Sequence, residues 1–391
     1  MPIERFYSGF LHAIYILIFA GLTILDLHIT ANFIEHTGER DIAMFSAYSG
    51  LAMAIAVTVY PHIITKFRTN ALFSLLATFG CGFCLILQFY STALSNGIVF
   101  IFKEVFTAVI VLHFGTTIQC ILKLEKHGAR YPFIYAGGRL GTLLASSAIL
   151  VNSDSYIFQQ RLLIAGACFF IASAAILVPK ATAVKNEGPQ PKAQPTISRT
   201  VLLIVVISSL FSMCRWYITY SSTLIFKEHL AGTNEIMTYL ATLNQIASIG
   251  GYIIQAIFMG PLMRYIGPAR IFNFYSVILS MTAIWVLFFP TIQGAGLARI
   301  VTTDLRIAMR NPTYQNLLGF LRPLPRARLR AIIQGWVTPA GTLLASTSMA
   351  LLVGGSLVPL ATSSAIALVV SLSYTTLGMI TTKQISKAQQ L

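Results

Sequence analysis

The sequence has 391 residues, of which 56% are hydrophobic and only 10% are charged. Soluble domains carry about 25% charged residues, so this composition excludes a soluble enzyme and a disordered chain. The formal net charge of +15 is spread over short clusters between apolar runs, a pattern that favours membrane orientation over nucleic-acid binding. We therefore expect an integral membrane protein with several spans.

The chain contains twelve apolar runs, and a span needs roughly 20 such residues. In chain order they are 10–34, 43–64, 71–92, 98–121, 132–152, 161–179, 200–223, 236–258, 270–290, 294–318, 331–353 and 359–380. The long hydrophilic stretch 180–199 is rich in Pro, Lys, Gln and Ala and is typical of a flexible linker. We predict an N-terminal six-helix half (1–179), this cytoplasmic linker and a C-terminal six-helix half (200–391).

The basic residues between the spans predict the orientation. With a cytoplasmic N-terminus, the cytoplasmic loops hold 18 Lys and Arg and the outer loops hold 3. This bias places both termini and the linker in the cytoplasm. The first apolar run has no small-residue cleavage site, so we interpret it as a span rather than a signal peptide.

Several kinds of chemistry are not expected. All five cysteines lie within apolar runs, and we interpret them as small packing residues. The sequence has no Walker-type glycine loop, no H-x-x-x-H pair and no nucleophile-elbow serine. It therefore predicts neither ATP hydrolysis nor a membrane-embedded enzyme, and no metal or other cofactor.

An internal repeat relates the two halves. The stretch Gly141–Ser146 (GTLLAS) recurs as Gly341–Ser346, in the fifth span of each half, and Arg130 and Arg330 precede it at the same spacing. Two six-span halves in parallel repeat are the architecture of the major facilitator superfamily. The predicted fold is an all-α membrane protein with twelve transmembrane helices. Small residues of the repeated motif are expected to let helices approach closely.

A narrower resemblance is carried by three stretches. Residues 130–141 (RYPFIYAGGRLG) resemble the loop and fifth helix of the ATP/ADP translocase family of plastids and obligate intracellular bacteria. Residues 311–315 (NPTYQ) and 324–335 resemble the corresponding region of the second half, and Gln255 with 260–267 also fits. The resemblance implies a nucleotide exchanger or one of the shorter bacterial relatives of that family.

Nine ionisable residues lie inside the predicted spans, where insertion costs about 2.5–3.5 kcal/mol each. Six are basic and three are acidic: Asp26, Lys103, Glu104, Arg139, Arg215, Arg299, Asp304, Arg306 and Arg310. A cavity that they line would be net positive, which suits an anionic substrate. The alternative is structural ion pairing, which three acids cannot complete for six bases.

The tenth span carries the clearest pattern. At 100° per residue, Arg299, Thr303, Arg306 and Arg310 fall on one stripe. A guanidinium group binds phosphate or carboxylate through two parallel hydrogen bonds. We predict that Arg299 and Arg306 bind substrate, and that Arg310, nearer the cytoplasm, binds substrate or anchors the interface.

Other substrate candidates lie in three further spans. Arg139 has Pro339 at its place in the repeat, so its charge is not required by the motif. Arg215 and Trp216 begin an aromatic stretch that stacks a flat ligand or forms an outer aromatic belt. Asn244, in the middle of the eighth span, binds ligand or ties helices together.

The acidic residues have a different expected role. Asp26, Glu104 and Asp304 are predicted to couple protons or to pair with charges. For Asp26 the expected ion-pair partner is an arginine of the fifth or tenth span. Lys103 and Glu104 are adjacent and point about 100° apart, so we expect them to pair poorly. Lys103 is then assigned to substrate or to snorkelling at the interface.

These observations predict a secondary active transporter that moves an organic anion across a bacterial inner (plasma) membrane by alternating access. The anion is a nucleotide or another phosphorylated or carboxylated metabolite. One alternative is a proton-coupled importer of a polycarboxylate such as a citrate-based siderophore, and another is a transport-dead scaffold or receptor. The expected partners are the bilayer, a small anion and, for symport, protons, with no nucleic acid. The expected oligomeric state is a monomer.

Overall fold

The computed structural model describes residues 2–64, 66–90, 96–122, 131–151, 160–178, 199–318, 329, 332–353 and 359–390. Every regular element in these ranges is helical. Nine of the described helices are long and apolar enough to cross a membrane, which confirms the prediction of an all-α integral membrane protein. The predicted linker, up to residue 198, lies outside the described residues.

The helices follow the predicted apolar runs. The first six are α1 (Pro2–His36), α2 (Glu39–Ile64), α3 (Thr69–Tyr90), α4 (Asn96–Leu122), α5 (Tyr131–Val151) and α6 (Arg161–Ala175). They are followed by α7 (Arg199–His229), α8 (Thr233–Ile253), α9 (Pro268–Phe288), α10 (Ile292–Ile300), α11 (Thr338–Val353) and α12 (Pro359–Gln390). Apart from α6, α8 and α10, all are among the nine candidate spans, and the exact number of twelve spans stays a prediction.

Three of these helices are joined to π-helical segments. After α8 the helix continues through Ile254–Phe258 into Met259–Tyr265. After α10 it continues through Val301–Arg310 into Asn311–Leu317, and α11 is preceded by Ile333–Val337. A π-helix forms i→i+5 hydrogen bonds, is rare, and is frequent at functional sites. The segment after α10 is the longest of the three and carries Arg306 and Arg310.

The chain divides into two compact units. Unit 1 comprises Met1–Glu35, Ile55–Gln190 and Gly232–Ile249, and unit 2 comprises His36–Ala54, Pro191–Ala231 and Gly250–Leu391. Each unit therefore consists mainly of one sequence half and includes a segment of the other half. These segments come from α2 and α8.

The repeated glycine motif makes equivalent helix contacts in the two units. In unit 1, a Cβ on Gly141 would clash with the carbonyl oxygen of Ile16 on α1. In unit 2, a Cβ on Gly341 would lie 2.9 Å from the carbonyl oxygen of Ser209 on α7. Each motif thus packs the fifth helix of its half against the first. The interpretation that its small residues allow close helix approach is confirmed at these two glycines.

Gly141→Ala is expected to lower the free energy of unfolding by about 1–3 kcal/mol, because the new methyl group overpacks the contact with α1. Gly82→Ala on α3 is the matched control, since a Cβ there meets no atom within 4 Å. Alanine favours a helix over glycine by about 0.5–1 kcal/mol, so this control should keep or raise the melting temperature. Thermal unfolding in detergent measures both variants, and equal melting temperatures would contradict the packing role.

Candidate functional site

A cavity of about 220 Å³ lies in unit 2, beside the π-helical segment that follows α10. Its described lining residues are Ser208, Phe211, Ser212, Arg215, Arg306, Arg310, Asn311, Tyr314, Ile333, Gln334 and Thr338. Three of these residues are arginines, and none is an aspartate or a glutamate. The described lining therefore carries three positive charges and no negative charge.

The π-helical segment corrects the predicted arginine stripe. A π-helix takes more residues per turn than an α-helix, so the 100° arithmetic does not hold over Val301–Arg310. Arg306 and Arg310, four residues apart, both reach the cavity. Arg299 lies before the segment, is half-buried, and is not among the described lining residues. Its substrate role stays a prediction without support from the cavity.

One face of α7 supplies another part of the lining. Ser208, Phe211, Ser212 and Arg215 follow i, i+3, i+4, i+7 spacing, which places them on a single helix face. The hydroxyl group of Ser212 donates to the carbonyl oxygen of Thr338 at 2.7 Å. This bond fixes the α7 face against α11. Sequence reasoning found Arg215 but missed the polar and aromatic residues at helical spacing before it.

Arg310 is held by aromatic rings. Its guanidinium carbon lies 3.6 Å from the ring centroid of Phe211 and 5.0 Å from that of Tyr314. Its Nε donates to the hydroxyl oxygen of Tyr374 at 3.2 Å. Cation–π contacts of this kind are worth roughly 0.5–2 kcal/mol. Arg310 is thus a buried positive charge of defined position, and no sequence pattern indicates its three aromatic partners.

Arg306 has binding capacity left. Its Nε is buried and has no hydrogen-bond partner among the described residues. An unsatisfied buried donor costs about 1–3 kcal/mol, and more on a charged group. Since Arg306 lines the cavity, a ligand with an acceptor oxygen would remove this cost.

Trp216 and Asp304, also in unit 2, are not among the described lining residues of the cavity. Trp216 is 8% exposed and stacks on Tyr220 at a centroid distance of 5.0 Å. Asp304 accepts a hydrogen bond from the hydroxyl group of Thr303 at 2.9 Å. The contacts of Trp216 are those of a packed side chain.

In unit 1, Lys103 joins two carboxylates. Its Nζ lies 2.6 Å from Asp26 Oδ1 and 2.6 Å from Glu104 Oε1, and Lys103 is 3% exposed. The expectation that Lys103 and Glu104 pair poorly is wrong, because their long flexible side chains converge although their Cβ atoms diverge. Asp26 also accepts a hydrogen bond from Thr30 at 3.1 Å. The structure places Lys103 against Asp26, a partner that sequence reasoning did not consider.

Arg139 and Asn244 are half-buried on α5 and α8 of unit 1. Next to Asn244, Gln245 donates to the hydroxyl oxygen of Ser147 on α5 at 3.0 Å and so ties these helices together. Neither Arg139 nor Asn244 is among the described lining residues of the unit 2 cavity. Their substrate roles stay predictions.

Three solved transporter structures are similar to this chain over nearly its whole length. The nucleoside transporter NupG has a TM-score of 0.67 and 14% identity, covering 96% of this chain and 98% of its own. A POT family transporter in complex with a thioalcohol-conjugated peptide has a TM-score of 0.66 and 11% identity, covering 93% of this chain and 94% of its own.

The inward-open xylose transporter XylE from E. coli has a TM-score of 0.65 and 8% identity, covering 95% of both chains. No protein-family model and no curated protein matches the sequence. At these identities the likeness concerns the fold alone: the chain shares the helical fold of these transporter structures.

Proposed function

We propose that this chain is a secondary transporter that moves an organic anion by alternating access, and that the anion binds in the arginine cavity of unit 2. The observation that carries the proposal is the described lining, with three arginines and no carboxylate. A site with this charge attracts and holds anions. Transport is supported by the fold shared with nucleoside, peptide-bound and xylose transporter structures.

The repeat allows an internal comparison of the two halves. The glycine motif recurs after 200 residues, and this spacing relates Arg310 to Ile110 on α4 and Tyr314 to Phe114. Ring contacts support the correspondence: Phe114 packs on a phenylalanine of α3 at 5.4 Å, and Tyr314 packs on a phenylalanine of α9 at 6.3 Å. The C-terminal part of α4 therefore indicates which side chains can occupy the positions that Arg306 and Arg310 occupy in the second half.

Unit 1 fills this position with apolar side chains. Where Arg306 and Arg310 stand in the second half, α4 has Phe106 and Ile110, which are 4% and 0% exposed. Replacing buried charges by well-packed hydrophobic residues is often neutral or stabilising. The arginines are therefore not needed to build the helix bundle, which supports a ligand-binding role over the transport-dead scaffold.

The ATP/ADP translocase resemblance is part of this proposal. Asn311, Tyr314 and Gln334 belong to the stretches that carry it, and all three line the cavity. Nucleotides, other phosphorylated metabolites and polycarboxylates all provide the oxyanions that arginine forks bind. The proposal also includes twelve spans, a bacterial inner membrane, cytoplasmic termini and a monomeric state.

A panel of ligands tests the proposal by thermal shift in detergent. The panel holds ATP, ADP, inorganic phosphate, glucose 6-phosphate and citrate, with uridine and xylose as neutral controls. A ligand at about a hundred times its Kd stabilises by about 2.7 kcal/mol. We expect at least one anion and neither neutral compound to raise the melting temperature. A protein that no anion stabilises would overturn the proposal.

Proton coupling is the second part of the proposal, and it is favoured by the unit 1 ion pairs. Asp26 and Glu104 share Lys103, and a carboxylate within a membrane span can take up a proton when its surroundings change. We expect Asp26→Asn to abolish acceleration of uptake by an inward proton gradient while anion exchange at equal pH persists. Uptake into proteoliposomes measures both, and a wild type insensitive to the gradient would favour antiport instead.

A further inference from the structure

We infer that Tyr374 on α12 is a positioning residue of the arginine cavity. Its hydroxyl oxygen holds the guanidinium group of Arg310 in the orientation that leaves the terminal Nη groups to bind the anion. This inference rests on the proposed function and deepens it, because it names what orients one of the lining arginines. Tyr374 is not among the described lining residues of the cavity, so it acts through Arg310 and not on the substrate.

Two contacts restrict the guanidinium group of Arg310. Its Nε donates to the hydroxyl oxygen of Tyr374 at 3.2 Å, and its central carbon lies 3.6 Å from the ring centroid of Phe211. The hydrogen bond fixes one edge of this planar group, and the ring contact limits its rotation. The other N–H groups of an arginine side chain all belong to the terminal Nη atoms. These are therefore the donors that Arg310 can offer to a ligand in the cavity that it lines.

The position of Tyr374 is itself fixed by packing. The residue is fully buried, and its ring packs against two phenylalanine rings at centroid distances of 5.5 and 6.0 Å. The next residue, Thr375, donates to the carbonyl oxygen of Ser276 at 3.0 Å and lies 2.9 Å from the hydroxyl oxygen of Ser280. These bonds tie α12 to α9. The hydroxyl oxygen that accepts from Arg310 therefore has a defined place.

Unit 1 contains the same helix contact without the tyrosine. Ser173 on α6 donates to the carbonyl oxygen of Ser74 at 3.0 Å and lies 2.8 Å from the hydroxyl oxygen of Thr78. This repeats the contact of one hydroxyl residue on α12 with two hydroxyl residues four apart on α9. The residue before this serine, which corresponds to the tyrosine, is Ala172, and it is fully buried. The half that has Ile110 in place of the arginine thus packs these helices without a tyrosine, which indicates that the tyrosine serves the arginine.

Titration calorimetry on the full-length protein in detergent tests the inference. The probes are inorganic phosphate, citrate and ATP, and the variants are titrated with the probe that binds the wild type most tightly. Tyr374→Phe keeps the ring and removes the hydroxyl oxygen that holds Nε. We expect the affinity to fall about three- to tenfold, because the loss of one hydrogen bond lets the guanidinium group leave its binding orientation.

Thr382→Val is the matched control on the same helix. Thr382 is 4% exposed, and its hydroxyl oxygen accepts from Asn273 Nδ2 on α9 at 3.1 Å. The control removes a buried acceptor hydroxyl that contacts an amide instead of an arginine, so it should leave anion affinity unchanged. In uptake into proteoliposomes, Tyr374→Phe should raise KM at an unchanged maximal rate. A lower maximal rate at an unchanged KM would overturn the inference.

A double-mutant cycle with Arg310→Lys separates positioning from a structural role. Lysine keeps the positive charge but carries a rotating ammonium group, so a bond to Tyr374 has no planar fork to orient. We expect Tyr374→Phe to change anion affinity by less than about twofold in the Arg310→Lys background. An equal loss in both backgrounds, or no loss in the wild type, would overturn the inference and leave the proposed function standing. If the wild type bound none of the three probes, the proposed function would fail and the inference with it.

Discussion

Arg306→Gln is expected to abolish stabilisation by the anion panel while the ligand-free protein stays at least as stable as the wild type. The variant keeps a polar side chain of similar reach but removes the fork and the charge. Truncating one partner of a desolvated charge pair costs about 2–5 kcal/mol of binding, which is roughly 30-fold or more in affinity. Ligand-free stability should not fall, because the substitution removes a buried unsatisfied donor and one of three like charges.

Opposite changes in binding and stability distinguish a ligand-binding arginine from a structural one. A structural arginine would lower the melting temperature when replaced, whereas functional sites commonly trade stability for activity. Arg270→Gln is the control for general loss of surface charge, because Arg270 is exposed on α9. An Arg306→Gln protein that binds the anions like the wild type would refute the assignment. So would one that fails to fold while Arg270→Gln is unaffected.

Among the substitutions proposed for this protein, Lys103→Met is expected to lower the free energy of unfolding the most. Lys103 lies 2.6 Å from each of two carboxylates, and its replacement removes the cation that both of them contact. Breaking a buried pair costs about 3–5 kcal/mol. Because the side chains of Asp26 and Glu104 are 35% and 37% exposed, solvent screening reduces the expected loss to about 2–3 kcal/mol. Thermal unfolding in detergent measures it.

A double replacement separates charge from packing. Lys103→Met combined with Glu104→Gln leaves one carboxylate instead of two, so about half of the lost stability should return. A combination no more stable than Lys103→Met alone would contradict the ion-pair account. The loss would then be due to the packing of the lysine stem.

The fold could largely be predicted from the sequence because it depends on simple patterns. Apolar runs placed the helices, and GTLLAS related the halves because a glycine at positions 141 and 341 permits backbone contact that no other residue allows. Apolar runs do not indicate whether a helical segment forms α-helical or π-helical hydrogen bonds. The π-helical segment Val301–Arg310 therefore escaped prediction.

The site could be predicted only in part. Arg215, Arg306 and Arg310 were found because charges in apolar spans are conspicuous, and the structure gathers them at one cavity. Their partners Phe211 and Tyr314 were missed because aromatic residues are common in spans. Tertiary contacts alone give them their role. The prediction that Lys103 pairs poorly with Glu104 was wrong because two long, flexible side chains can meet even when their Cβ atoms point about 100° apart.

The claim that the arginine cavity binds the transported anion is tested most directly by uptake into proteoliposomes. The variant carries Arg306→Phe and Arg310→Ile. These substitutions give the π-helical segment after α10 the residues that α4 has at the equivalent positions, Phe106 and Ile110. Wild-type protein should accumulate the labelled anion that stabilises it most in the thermal-shift panel. The double variant should keep a melting temperature near or above that of the wild type, because unit 1 buries Phe106 and Ile110 at these places, and it should not transport. A folded double variant that transports at the wild-type rate would contradict the claim.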